Sequence, residues 1–550
     1  MRLSVLIVLV AGTASCSNDS AEAKAPGAWS KDAGAYRQCY GANDCPPGTY
    51  CNELGACVPL SAAADAGLAS DAGLPPEVES KSEPPATGKS YLYVAVPQQD
   101  MVAKIDSLTL KVSALKVGSS PGALRTVPGQ DVAVVLNRLS GSASILRTRA
   151  DGSDEILTLK TAAGLNQLAL APDGKHAVAF FDVLAAGPSP AAKQSYQEVT
   201  LLRLVPGQEA AINLTVGFRP SEVQFDAGSQ LAFVVTEQGI STIDLAATTK
   251  PTIVPTVPLL KDPLKEPKVA EVVITPDGKL ALLRQAGVKG IRAVELATKK
   301  QSDLPLASDA TDLDLTPDGK LALVVLREGA QIVLVDLPGD LADPTGVDTL
   351  STAGYTVGQA ELTDDGKHAF LFSNATTQEV VLVADLAART LNVFPLKKGV
   401  RAVRPAPGGA TAVILHNKVP GAAAPQDGVE GLLDRSWGYS LLSLPQSFAR
   451  LQITLADPGQ LAFSADGKAA YMLLSNPAAA IRALDAIDLS TFLCETVSVG
   501  SPPVSVGIVP ATGRVFVAQD HPLGRITFLD AATLATKTVT GFELNSYVIE

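Results

Sequence analysis

Histidine is scarce in this chain: 550 residues hold only four, His176, His368, His416 and His521. None stands in an H-E-x-x-H pattern, which excludes the helix-borne zinc hydrolases that use it. There is no G-x-S-x-G, no P-loop, no C-x-x-C-H and no G-x-G-x-x-G after a strand. The familiar signatures for acyl transfer, nucleotide phosphates, attached haem and dinucleotides are therefore missing. A surplus of positive charge is missing too. Asp and Glu number 56 against 44 Lys and Arg, leaving a net charge of −12. Phosphate contacts need clustered Lys and Arg, so nucleic acid is not an expected partner. Aromatic residues are few at 5%, and charged residues make up only 18%. With 46% apolar residues the chain still buries a large core, and 38 Pro with 45 Gly suit many turns rather than long helices.

What is present begins at the first residues. Arg2 supplies a charge, Leu3 to Val10 is apolar except for Ser4, and Ala11-Gly12-Thr13-Ala14-Ser15 precede Cys16. A run this short is a signal-peptide core and not a membrane span. Small residues followed by Cys resemble the lipobox of bacterial lipoproteins, with Thr13 where that family favours Leu. The resemblance implies cleavage after residue 15, acylation of Cys16 and tethering through a flexible segment over 16–38. No Asp follows Cys16 directly, so the outer membrane is the expected site, on its periplasmic or cell-surface face.

Cys39, Cys45, Cys51 and Cys57 are spaced six apart, in a stretch with too few apolar residues to make a core. Four cysteines in an exported chain suit two disulfides, in any of three pairings. Zinc is the rival, but the C-x-x-C spacing of zinc knuckles is absent. The segment 39–59, above all Asp44-Cys45-Pro46-Pro47-Gly48-Thr49-Tyr50-Cys51, is similar to Dickkopf-type and EGF-like modules. Residues 60–88 are rich in Ala, Asp, Gly, Ser and Pro and read as a disordered linker. The sixth cysteine, Cys494, reads as a buried free thiol.

From residue 89 to 550 one pattern recurs: apolar strand, turn, apolar strand. The turn is plainest at Thr275-Pro276-Asp277-Gly278-Lys279 and Thr316-Pro317-Asp318-Gly319-Lys320. Its glycines fall at 88, 129, 174, 228, 278, 319, 366, 409, 467 and 513. A period of about 40–50 residues with four short strands per unit is a β-propeller signature. The expected fold is all-β, with about ten four-stranded blades; one ring of seven or eight with insertions, or two smaller rings, are the alternatives. The repeats resemble the YVTN-type propeller of bacterial surface and periplasmic proteins. The final residues, Ser546 to Glu550, are expected to supply the inner strand beside Tyr91 and so close the ring.

The strand before each turn should line the central channel. Seven residues ahead of the turn glycine, polar residues recur as Gln167, Glu271, Asp312, Gln359 and Gln460, with Arg401 there if Gly408 is the turn. Glu361 follows two residues beyond Gln359. A wet channel alone would select such residues, and a mouth that binds a cation or small polar ligand is the functional alternative. No EF-hand spacing is present. No catalytic residue, metal or cofactor is expected. The reading is a non-enzymatic lipoprotein whose propeller is a binding or scaffolding platform for a protein or glycan at the cell envelope. A propeller hydrolase or lactonase acting at the channel mouth, or a structural subunit of an envelope complex, are the alternatives.

Overall fold

The second strand of each repeat is apolar on both sides, as in Leu321-Ala322-Leu323-Val324-Val325-Leu326, and all six of these residues are buried. A strand in a one-sided sheet would alternate. Here Leu323 and Val325 pack toward the following repeat, while Ala322, Val324 and Leu326 pack toward the preceding one. A strand sandwiched between two sheets explains the unbroken apolar run.

The computed structural model describes residues 49–51, 57–59 and 86–550, except 187–194, 248–250, 419–427, 545 and 550. The chain forms two units, residues 1–66 and 67–550. In the first, Thr49–Cys51 pairs antiparallel with Cys57–Pro59, and Cys51 stands opposite Cys57 in the ladder. Cys16 and the side chains of Cys39, Cys45, Cys51 and Cys57 lie outside the described residues, as does most of the 60–88 linker.

The second unit is a ten-blade β-propeller. Its sheets span residues 91–116, 121–160, 167–215, 220–257, 269–305, 312–351, 359–395, 400–454, 457–498 and 503–549, numbered here as blades 1 to 10. Every sheet is antiparallel with its strands in chain order. Blades 2 to 9 have four strands, blade 1 has three and blade 10 has five. Ten apolar clusters each join two successive blades, and the tenth joins blade 10 to blade 1. The ring is therefore single and closed. The first strand of blades 2 to 10 lies at the hub, where neighbours touch: Gln224 donates to Val272 O at 3.2 Å and accepts from Ile274 N.

The repeated turn is held by its own side chains. Thr275 Oγ1 donates to Asp277 Oδ1 at 2.7 Å and accepts from Leu280 N, while Asp277 Oδ1 accepts from Lys279 N. Thr316, Thr363 and Ser464 repeat the arrangement. Gly278 is left-handed at φ +68°, and a Cβ there would stand 2.6 Å from the Phe233 ring of the preceding blade. Glycine thus serves both the turn and the blade-to-blade approach. The third strand often ends in an acid for a related reason. Asp106, Asp385, Asp488 and Asp530 each accept backbone N–H groups from the next two or three residues, capping the hairpin to the outer strand.

The chain's end corrects one expectation. Val548–Ile549 does not reach Tyr91; it pairs with Thr536–Thr540 as the fifth, outermost strand of blade 10. Blade 1 has only a remnant of an inner strand, a bridge from Thr87 to Leu92 and a bond from Tyr93 N to Ala86 O. The ring closes by packing instead, between the Leu92, Val96 and Ile105 side of blade 1 and Phe516, Ile526 and Phe528 of blade 10. Arg514 Nη1 clasps the seam by donating to Ser107 O and Leu108 O at 2.7 and 2.9 Å. Two paired residues, both exposed, carry little of this. Deleting residues 546–550 is expected to cost about 1 kcal/mol or less, so calorimetry should find the melting transition nearly unchanged.

Candidate functional site

The hub strands of blades 7, 8 and 9 enclose a cavity of about 650 Å³. Three of the sequence-derived candidates line it: Glu361, Arg401 and Gln460. Bulges open this stretch of wall. In blade 8 the ladder slips between Val400 and Ala402, so Arg401 is the extra residue. In blade 9 it slips between Pro458 and Leu461, leaving Gly459 and Gln460 unpaired. Bulges re-aim side chains, and the hub strands of blades 2, 4, 5 and 10 carry them too.

Arg401 and Arg404 reach from the middle strand in opposite directions. Arg401 Nη1 donates to Asp457 Oδ1 of blade 9 at 2.8 Å, and its Nη2 donates to Pro458 O. Arg404 Nη1 donates to Glu361 Oε1 of blade 7 at 3.3 Å. The two ion pairs tie three blades together. Leu362, Leu415, Leu461 and Phe463 contribute the apolar surface of the cavity. Asp364 lies at the turn end, where its carboxylate accepts from Gly408 N at 3.0 Å. The arrangement is that of a small-ligand pocket: an apolar body with a few charged groups placed to orient what enters.

The other candidates are elsewhere. Glu271 pairs with Arg284 Nε at 2.6 Å within blade 5. Asp312 is buried, and its carboxylate accepts from Ala360 N at 2.6 Å, pinning blade 6 to blade 7. Gln359 is buried and accepts from Asn374 Nδ2 at 3.0 Å. Gln167 borders a separate recess of about 290 Å³ beside Arg125 and Arg138. Among the described residues no group of three or more His, Cys, Asp or Glu is placed to hold a metal ion. Nor is any described helix long and apolar enough to cross a membrane.

Arg404 and Asp457 escaped the sequence reading. Counted from Gly409, the offset of seven residues lands on Ala402 and not on Arg401. Gly409, not Gly408, occupies the turn position, since its N–H bonds Ala406 O as Gly278 bonds Thr275 O. Arg401 therefore sits in the bulge, one place off the regular position. An Arg three residues after another Arg, in a strand ending in Pro, was the available signal.

Two buried polar clusters flank this region. His416 Nδ1 donates to Gly399 O at 2.9 Å, and its Nε2 accepts from Ser440 Oγ at 2.7 Å. Burial pushes this imidazole down to about 4, against the pull of Gly399 O and with Lys398 and Arg401 adding to the fall. The neutral ring is thus a fixed part of the core. Between blades 8 and 9, Asp485 accepts from Tyr439 Oη at 2.9 Å and from Thr496 Oγ1. Burial raises the Asp485 carboxyl. Cys494 is a free thiol, half-buried, with Tyr439 Oη 3.3 Å from its sulfur. Burial raises its pKa, opposite to what a nucleophile requires.

No protein-family model matches the chain, and no curated protein matches it. Solved structures similar to it include dihydro-haem d1 dehydrogenase NirN in complex with DHE, at 13% identity and a TM-score of 0.40, covering 68% of this chain and 74% of that one. Hydrazine synthase of Kuenenia stuttgartiensis is 16% identical with a TM-score of 0.29, covering 58% and 97%. A eukaryotic initiation factor is 9% identical with a TM-score of 0.45, covering 75% and 96%. At these identities and scores the likenesses assign no ligand or activity to this chain.

Proposed function

We propose that this protein is a non-enzymatic, exported lipoprotein whose propeller docks a protein partner at the cell envelope. Cys16 is its anchor, residues 39–59 a disulfide-stapled module, and residues 60–88 the tether that gives the propeller reach. One observation supports a protein partner in particular. Leu139, Leu184, Leu264 and Leu455 are 79, 86, 96 and 77% exposed. Leu139 and Leu184 lie between second and third strands, and Leu264 and Leu455 lie in crossovers between blades. Antiparallel order puts all four at the end of the strands opposite the Asp-Gly-Lys turns. That other end carries Lys279, Lys320, Lys367 and Lys468, each paired to its turn aspartate. Exposed leucines at loop tips suit burial against another protein, and those of the turn end, Leu108 and Leu493, are less exposed at 66 and 63%. A glycan would instead ask for aromatic platforms.

The test uses the tagged mature protein to capture partners from native envelope. Changing Leu139, Leu264 and Leu455 together to Asp should abolish capture without lowering the melting temperature. Changing Lys279 and Lys320 to Asp should leave capture intact. Capture that survives the leucine changes, or capture of cell-wall glycan alone, would overturn the reading. Cys16→Ser should release the protein from membranes; retention after a high-salt wash would place the anchor elsewhere.

A further inference from the structure

The cavity between blades 7, 8 and 9 has a charge layout that selects its ligand. The arginines are the more sheltered partners: Arg401 and Arg404 side chains are 28 and 20% exposed, against 48 and 38% for Asp457 and Glu361. The acids are thus the wetter partners, and the arginines share the cavity wall with its apolar residues. A cation binding at the rim would exchange one wet partner for another and gain little. A carboxylate entering the cavity offers a guanidinium a planar partner in a drier setting, where charge-assisted bonds are stronger. In the exchange each arginine would give up an exposed carboxylate and keep a backbone carbonyl, Pro458 O for Arg401 and Val403 O for Arg404.

The same layout sets the ligand's charge and body. Charged groups on the lining are two arginines against Glu361, Asp364 and Asp457. A dianion would meet that acidic surplus. The guanidiniums also diverge, one toward blade 9 and one toward blade 7, so they do not converge on a phosphate. Leu415, Leu461 and Phe463 beneath them offer burial for an aliphatic body.

We propose that this cavity binds a monocarboxylate with an apolar body, through Arg401 and Arg404. Such a group is found at the carboxyl terminus of a peptide ending in an aliphatic residue, and in a small branched organic acid. The site is on the hub wall, and of the docking leucines only Leu455 adjoins it, two residues before Asp457, so the docking face is read from Leu139→Asp with Leu264→Asp and the cavity from Arg401→Lys and Gln460→Trp.

The test is calorimetric titration of the full mature protein with acetyl-alanyl-leucine, the same peptide amidated, 4-methylpentanoate, leucinamide and inorganic phosphate. The free-acid peptide should bind at least about ten-fold more tightly than its amide. Arg401→Lys keeps the charge but loses the fork and should weaken binding about ten-fold. Gln460→Trp changes an exposed lining residue, leaves the core untouched and should block entry with the melting temperature preserved. A peptide tighter than 4-methylpentanoate marks a chain terminus as the source, and the reverse marks a free acid. Equal binding of acid and amide, preference for leucinamide or phosphate, no heat from either acid, or insensitivity to Gln460→Trp would each overturn the proposal.

Discussion

Truncating Phe516 to alanine is expected to lower the stability of the propeller by about 3–5 kcal/mol. Phe516 is among the largest fully buried side chains, and it lies in the cluster that joins blade 10 to blade 1. Elsewhere a weakened interface is spanned by the chain itself as it crosses from one blade to the next. At the seam no crossover exists, and the two blades are held by this cluster, the Arg514 clasp and the bonds from Ala511 N to Lys89 O and from Thr512 Oγ1 to Ser107 Oγ. The loss should therefore exceed that from Phe528→Ala only modestly, since both serve the seam, but should far exceed that from exposed Phe448→Ala. Urea unfolding followed by circular dichroism measures it. A loss below about 1 kcal/mol would mean that the seam relaxes around the gap.

The second large effect depends on pH. In an unfolded chain a histidine titrates near 6.5, whereas His416 is held at about 4. Between those values the unfolded chain binds a proton that the folded chain refuses. Stability should fall as pH drops from about 6.5 to about 4, change little from this source above that window, and lose nothing further below it. A displacement of this size corresponds to about 3 kcal/mol. The quantity to measure is the difference in unfolding free energy between the protein and His416→Gln, at pH 7 and at pH 4.5. That difference removes the contribution of carboxylates common to both. If the two proteins keep a constant difference across the window, His416 is not sealed as described.

The sequence made the repeat legible because the turn chemistry is local. Asp277, Gly278 and their equivalents make their bonds within a few residues, so the turns could be placed, although in blade 4 the left-handed turn residue is Ser229 and not Gly228, and the Gly88 turn opens the first full strand of blade 1. Single-ring closure could not be placed the same way. The packing of Phe516 against Leu92 and Ile105 joins opposite ends of the chain, and no local pattern records which surface covers an apolar strand. The expectation for Ser546 to Glu550 failed for that reason: Tyr547, Val548 and Ile549 make a short apolar run, and nothing local separates an inner strand from an outer one. The candidate site was partly legible. Polar residues on hub strands stood out, but Arg404 and Asp457 lie at other places along their strands than a fixed offset samples, and only the folded ring brings them to one cavity with Arg401.

The unequal first and last blades have a consequence for the path of the chain. It enters the ring at the hub, where Ala86 and Thr87 meet the first full strand, and leaves at the rim, with Ile549 on the outer edge of the last blade. The fold is thus a flat spiral of ten turns in and out, cut once. The four strand spacings of blade 10, about 4.8 Å each, set the radial part of the gap between these ends at about 19 Å. About six extended residues would span that gap. Such a linker would complete the missing crossover, and the cut could then be moved to any other blade junction, carrying the weak seam with it.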